Sequence, residues 1–143
     1  MSREAIYAAL FAKVSAIPGI KTSSRRMRHF SDVLGQEQPA LFQEQSPETV
    51  TRPGNDLPRK LYLNAHLWIY AKTDDHTSSP APMLNALIDA VEDALDEGSD
   101  PMTGNQTLGG LVSHCVISGK IETDDGWLDS QAIARIPVEI LVP

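Results

Sequence analysis

Four histidines, one cysteine and a few clustered carboxylates are the residues of this chain best suited to chemistry. His29, His66, His76 and His114 are scattered, with no pair at the short spacing of a helical or loop metal site. His66 and His114 each fall on the polar parity of an alternating stretch, so a sheet can make them neighbours. A metal pair of that kind needs at least a third ligand, and no tight spacing supplies one. Asp74, Asp75 and His76 form the one compact acid–histidine group. It lies among Thr, Ser and Pro, where nothing apolar would tune a catalytic pKa, and it reads as a solvated loop.

Nucleophiles fare no better. Cys115 follows His114, but adjacent strand residues point to opposite faces and cannot form a nucleophile–base pair directly. A lone cysteine also excludes an intramolecular disulfide and a cysteine-rich metal site. Its apolar surroundings mark a buried, inert thiol. Residues 104–110 hold too little glycine for a phosphate-binding loop and lack the Lys-Ser/Thr ending. The expectation is a chain that is not an enzyme, with no metal and no cofactor.

The informative residues are instead those of 61–70. Leu61, Leu63, Ala65, Leu67 and Ile69 alternate with Tyr62, Asn64, His66, Trp68 and Tyr70. Period-two alternation of this length marks a β-strand with two different faces. One face belongs in a core. The other offers Tyr62, Trp68 and Tyr70, side chains that bury against a partner while a polar tip stays satisfied.

Around this strand the other elements can be placed. Residues 3–17 predict a helix, with Ile6, Leu10, Val14 and Ile17 at helical spacing and Phe11 beside them. Ser2 is its N-cap, Glu4 suits its first turn, and Pro18-Gly19 ends it. Residues 20–30 predict a short strand and then a loop; 39–45, with Ala40, Leu41 and Phe42, predict another short strand. Pro47, Pro53, Gly54, Asn55 and Pro58 make 46–60 a long loop or arm. After a polar connection, 83–97 forms the clearest helix, striped by Leu84, Leu87, Ile88, Val91 and Leu95. Ser79 caps it and Pro80 takes the first helical position.

That helix ends on Glu92, Asp93, Asp96 and Glu97, the wrong sign for a C-terminus. Two readings stand: a solvated face, or a docking surface for a basic partner. Residues 98–110 are a Gly- and Thr-rich loop. The last third predicts a hairpin of 111–122 and 132–142, with Asp125-Gly126 as its turn dipeptide and Pro137 at an edge or bulge. The order implies an α+β two-layer sandwich, a mostly antiparallel sheet with two helices packed on one face.

Length and charge set the frame. A chain of 143 residues is one domain, 1–143, by the usual size prior. No apolar run approaches a membrane span and no signal peptide opens the chain, so a soluble product made inside a cell is expected. Net charge is -7 with pI ≈ 4.9, which opposes general nucleic-acid binding. The local exception is the basic group Lys21, Arg25, Arg26, Arg28 and His29. It reads either as a loop paired with acidic helix ends, or as a surface for a negatively charged partner such as passing DNA. Opposed acidic and basic surfaces on one protomer also suit head-to-tail association that closes into a ring.

This layout resembles the tail terminator (tail completion) proteins of long-tailed bacteriophages and prophages. The likeness runs over nearly the whole chain. It takes in the opening helix ending in Ile17-Pro18-Gly19, residues 25–30, Gln38-Pro39-Ala40-Leu41-Phe42, and the strand at 60–70. It continues through the helix starting near Pro80 and the closing strands, with Asp124-Asp125-Gly126 before Ile136-Pro137-Val138-Glu139-Ile140. The resemblance implies a small structural protein of the virion tail, assembled in the host cytoplasm. As a ring, a hexamer in this family, it would cap the head-proximal end of the tail tube, stop its polymerisation and face the head connector.

On chemistry alone, Tyr62, Trp68 and Tyr70 are the candidates for packing between subunits. Arg25, Arg26 and Arg28 are the candidates for the ring lumen or a charged partner. The alternatives are another head–tail connector or neck protein, and a cytoplasmic domain holding a small ligand among Tyr62, His66 and Trp68.

Overall fold

In chain order the elements are α1 (Arg3–Ser15), β1 (Thr22–Ser24), β2 (Ala40–Thr51), β3 (Lys60–Lys72), α2 (Ala81–Asp96), β4 (His114–Ile117), β5 (Glu122–Leu128) and β6 (Gln131–Val142). Single-turn 3₁₀ helices occupy Phe30–Asp32 and Gly35–Glu37. The computed structural model describes residues 1–73, 79–128 and 131–143, with the backbone alone at 125–128.

The predicted alternation becomes the middle of a mixed, mostly antiparallel sheet ordered β1-β2-β3-β6-β4, with β5 also on β6. β3 pairs with β6 from Leu61↔Val142 to Lys72↔Gln131, and with β2 on its other side. β1 runs parallel to β2 at one margin. Leu61, Leu63, Ala65, Leu67, Ile69 and Ala71 of β3 face the helices, as do Ala134, Ile136, Val138 and Ile140 of β6. Against them pack Ile6, Leu10 and Val14 of α1 and Leu84, Leu87, Val91 and Leu95 of α2. Each such aliphatic side chain contributes about 1.5–3 kcal/mol by leaving water. The α+β two-layer sandwich expected from the sequence is the architecture observed.

Local chemistry explains where the helices begin and end. Ser2 Oγ accepts from the Ala5 N–H at 3.2 Å, and Gly19 takes a positive φ of 90° just past α1. α1 stops at Ser15, short of the expected 17, yet Ile17 remains buried. At α2 the cap is Pro80 itself, while Ser79 Oγ accepts from the Ala81 N–H at 3.1 Å. The acidic end of α2 is served from outside the helix. Lys13 Nζ donates to the Glu97 carbonyl at 2.8 Å. Gln106 Nε2 donates to the Leu95 and Glu97 carbonyls at 2.9 and 2.7 Å.

Three expectations are corrected. Residues 46–60 are not one long loop, because β2 continues to Thr51. Pro47, which cannot donate to the ladder, falls in a register shift between Ser46 and Thr49, and Asn64 Nδ2 donates to its carbonyl at 2.8 Å. The strand expected at 111–122 is broken into β4 and the start of β5, both along the same margin of β6. Pro137 sits opposite that break: its carbonyl accepts from the Ser118 N–H, and the missing N–H faces the same side. Finally, Asp125-Gly126 is not the turn but lies inside β5, in an irregular stretch between Asp124 and Leu128.

Candidate interaction surface

The face of the sheet turned away from the helices carries Tyr62, Asn64, His66, Trp68 and Tyr70, and the structure divides it into three zones. At the Tyr70 end the chain covers itself. Val33, Ala40, Phe42 and Tyr70 form a second small core, joined by Met27, Phe30, Trp68 and Ile133. Tyr70 is 4% exposed, its ring centroid lies 5.3 Å from that of Phe42, and its hydroxyl donates to the Arg28 carbonyl at 2.8 Å. Burial, and to a lesser extent Glu44, pushes the Tyr70 phenol up from its usual pKa. Tyr70 is therefore occupied within the subunit.

The middle zone is polar. Ser46 Oγ meets His66 Nδ1, and Arg135 approaches His66 Nε2 at 3.1 Å. Glu44 receives the Trp68 indole N–H at 3.4 Å, and the Arg135 guanidinium lies 5.7 Å from the Trp68 ring centroid. Glu122 completes the row, 3.5 Å from Arg135. A serine, a histidine and a glutamate in one cluster invite comparison with a hydrolase triad, but the geometry is wrong. Ser46 and Glu44 both lie on the Nδ1 side, and the other nitrogen faces a cation. With both ring nitrogens engaged, His66 offers no free atom to a small ligand beside Tyr62 and Trp68.

The third zone is an arm. Every residue from 47 to 60 is exposed, so the β2–β3 hairpin ends in a projection that the subunit itself scarcely covers. Its base is tied to α1 by Arg3 Nε, 2.9 Å from both Glu48 carboxylate oxygens. Beyond that tie it presents Val50, 49% exposed, and Leu57, 59% exposed, among Arg52, Arg59 and Lys60. Tyr62, half-buried, pairs with Thr49 at the arm's root.

The three candidate arginines have separate fates. Arg25 is bound by both Glu4 oxygens and by Gln45, and this contact holds the Glu4 carboxyl below its usual pKa. Arg28 donates to Glu37 and to the Asp32 carbonyl, lowering the Glu37 pKa likewise. Arg26 is exposed, with no side-chain partner among the described residues. Two of the three arginines are thus neutralised internally.

The remaining candidates resolve simply. His66 and His114 are not neighbours: His66 stands opposite Pro137 and His114 opposite Leu141, with β6 between them. His114 Nε2 lies 3.5 Å from Glu139 instead. Among the described residues no three His, Cys, Asp or Glu side chains converge as a metal site. Asp74, Asp75 and His76 lie outside the described residues. Burial pushes the Cys115 thiol up to about 12, so it stays protonated and unreactive at neutral pH. Sequence reasoning missed Glu44, Ser46, Glu122 and Arg135 as partners of His66. The available signal was Arg135 on the outward parity of its strand. No described helix is long and apolar enough to cross a membrane.

No protein-family model matches the chain, and no curated protein matches it. Among solved structures, a chain in the virion of a native gene transfer agent (GTA) particle is similar, with a TM-score of 0.57 and 11% sequence identity. The superposition covers 97% of this chain and 95% of that one. At that identity the likeness is one of fold, and it extends from end to end.

Proposed function

We propose that the chain is a structural component of a phage-like virion and, within it, the tail terminator. The observation that carries this reading is the fold shared along nearly the full length with a chain of a gene transfer agent virion. Copies would pack side by side as a ring, a hexamer under the resemblance stated above. The ring would sit on the head-proximal end of the tail tube, end the tube's polymerisation and offer its other face to the head connector. Its contacts would be made by the arm at 47–60, by Tyr62 at its root, and by Arg26 toward a charged partner.

Tail-tube protein polymerising with and without the purified chain provides the test. Negative-stain images should show shorter tubes with a ring at one end. A chain that stays strictly monomeric and leaves tube lengths unchanged overturns the reading. A ring that binds isolated head connectors but never tube ends assigns it to the neck instead.

A further inference from the structure

The arm and the acidic end of α2 lie at opposite margins of one sheet. The arm grows from the β2 side; α2 ends beside β4, the last strand in the order. Between α2 and β4 runs a cleft of about 330 Å³. Leu95 and Ile117 give it an apolar floor beside Ser99 and Gln106, and the acids Glu92 and Asp96 also line it. Both carboxylates belong to exposed residues with no ion-pair partner among the described residues. The last turn of α2 contains no basic residue; Lys13, on the neighbouring groove, is directed to the Glu97 carbonyl.

The arm is the chemical complement of this cleft. It offers exposed Leu57 and Val50, flanked by Arg52, Arg59 and Lys60. Against these stand two acids, Glu48, already held by Arg3, and Asp56. A single exposed leucine or valine needs no explanation. Apolar side chains on an uncovered projection ringed by cations, in a chain of net charge -7 with a cleft that combines two acids and an apolar floor, form a matched pair.

We infer that the arm of one copy docks in the α2–β4 cleft of the next, with Leu57 against the apolar lining and Arg52, Arg59 and Lys60 toward Glu92 and Asp96. Donor and acceptor occupy different surfaces, so the contact is heterologous, the type that generates a ring when its rotation closes. Among the described residues β4 ends the strand order, so its outer backbone is a margin to which the incoming hairpin can add. The inference rests on the ring reading above only for self-association and not for the tail tube.

The test is a charge swap in the full chain. Carbodiimide treatment of mixed isotope-labelled and unlabelled protein should link Lys60 to Glu92 or Asp96 between copies. Sedimentation should show Arg52→Glu/Arg59→Glu weakening association about tenfold or more. Adding Glu92→Lys/Asp96→Lys to that variant should restore it, whereas adding Asp32→Lys, a charge placed elsewhere, should not. All the arm positions are exposed, so circular dichroism should show these variants folded.

Unchanged association of the arm variant, equal rescue by Asp32→Lys, or a wild-type chain with no link between copies overturns the contact. So does an arm variant that keeps its association and loses retention on DNA. If the contact fails while rings still cap tubes, the functional reading survives without it. If the contact holds and tubes stay uncapped, the functional reading fails alone.

Discussion

The Arg135 guanidinium lies 3.1 Å from Nε2 of His66, and this contact sets which ring nitrogen carries the proton. Arginine has only donors, so Nε2 must accept, which places the ring proton on Nδ1, facing Ser46 Oγ. Burial first, and the Arg135 charge second, hold the ring's pKa below 6.5 against the opposite pull of Glu44 and Glu122.

A pH dependence of stability follows from this. The folded chain takes up a proton at His66 less readily than the unfolded chain does. The stability contributed by neutral His66 is therefore complete above the unfolded value of 6.5 and is lost as pH falls below it. Glu4 and Glu37, whose pKa values lie below 4.5, lose their contributions only at lower pH. The urea midpoint of the wild type should drop between about pH 7 and pH 5, and His66→Gln should flatten that drop. In NMR titrations, Arg135→Gln should raise the His66 pKa part of the way to 6.5, since burial remains.

Gly119 and Pro137 make a second point of constraint. Gly119 has φ 116°, and a Cβ built there would lie 3.3 Å from Pro137 Cγ. The glycine lets the chain pass the proline at the gap between β4 and β5. Gly119→Ala should cost about 1–2 kcal/mol in urea unfolding, from the left-handed backbone alone. Adding Pro137→Ala should relieve the crowding and leave the backbone penalty, so the double variant should recover only part of the loss.

The elements that alternate or stripe cleanly were legible because one-sided burial imposes its period on the sequence, as at 61–70, at 132–142 and along both helices. The second half of β2 was not legible. Pro47 breaks the local pattern, and the strand resumes through pairing with β3 from Thr49↔Tyr62 onward, with Asn64 bonded to the Pro47 carbonyl in the register shift, contacts local sequence cannot show. Tyr70 was readable as part of an aromatic face but not as buried, because its cover comes from Met27, Phe30 and Val33, an irregular segment with no periodic signal. The His66 cluster joins residues brought together by sheet pairing, and its charges had no reason to be associated until the β3–β6 register was known.

Gln106 carries a prediction about the end of α2. It is 3% exposed, donates to the Leu95 and Glu97 carbonyls, and accepts from the Leu108 N–H at 3.0 Å. Gln106→Ala would strand buried backbone groups and should cost about 1–3 kcal/mol. Gln106→Glu should be worse, because a carboxylate cannot donate to the two carbonyls and would add another negative charge to an acidic helix end. Hydrogen exchange should then rise first in the last turn of α2.

Tyr70 and Tyr62 separate packing within a subunit from packing between subunits. Tyr70→Phe removes the bond to the Arg28 carbonyl and should cost about 0.5–1.5 kcal/mol of stability, with association unchanged. Trp68→Phe keeps a ring under Arg135 and gives up a long indole bond to Glu44, so it should shift both properties little. Tyr62 lies at the root of the arm, outside the cover provided by residues 27–33. If the open end of this face is shared between copies, Tyr62→Ala should weaken association about tenfold while the unfolding midpoint moves little. Unchanged sedimentation would confine the contact to the arm, because a side chain desolvated by a neighbour cannot be truncated without loss.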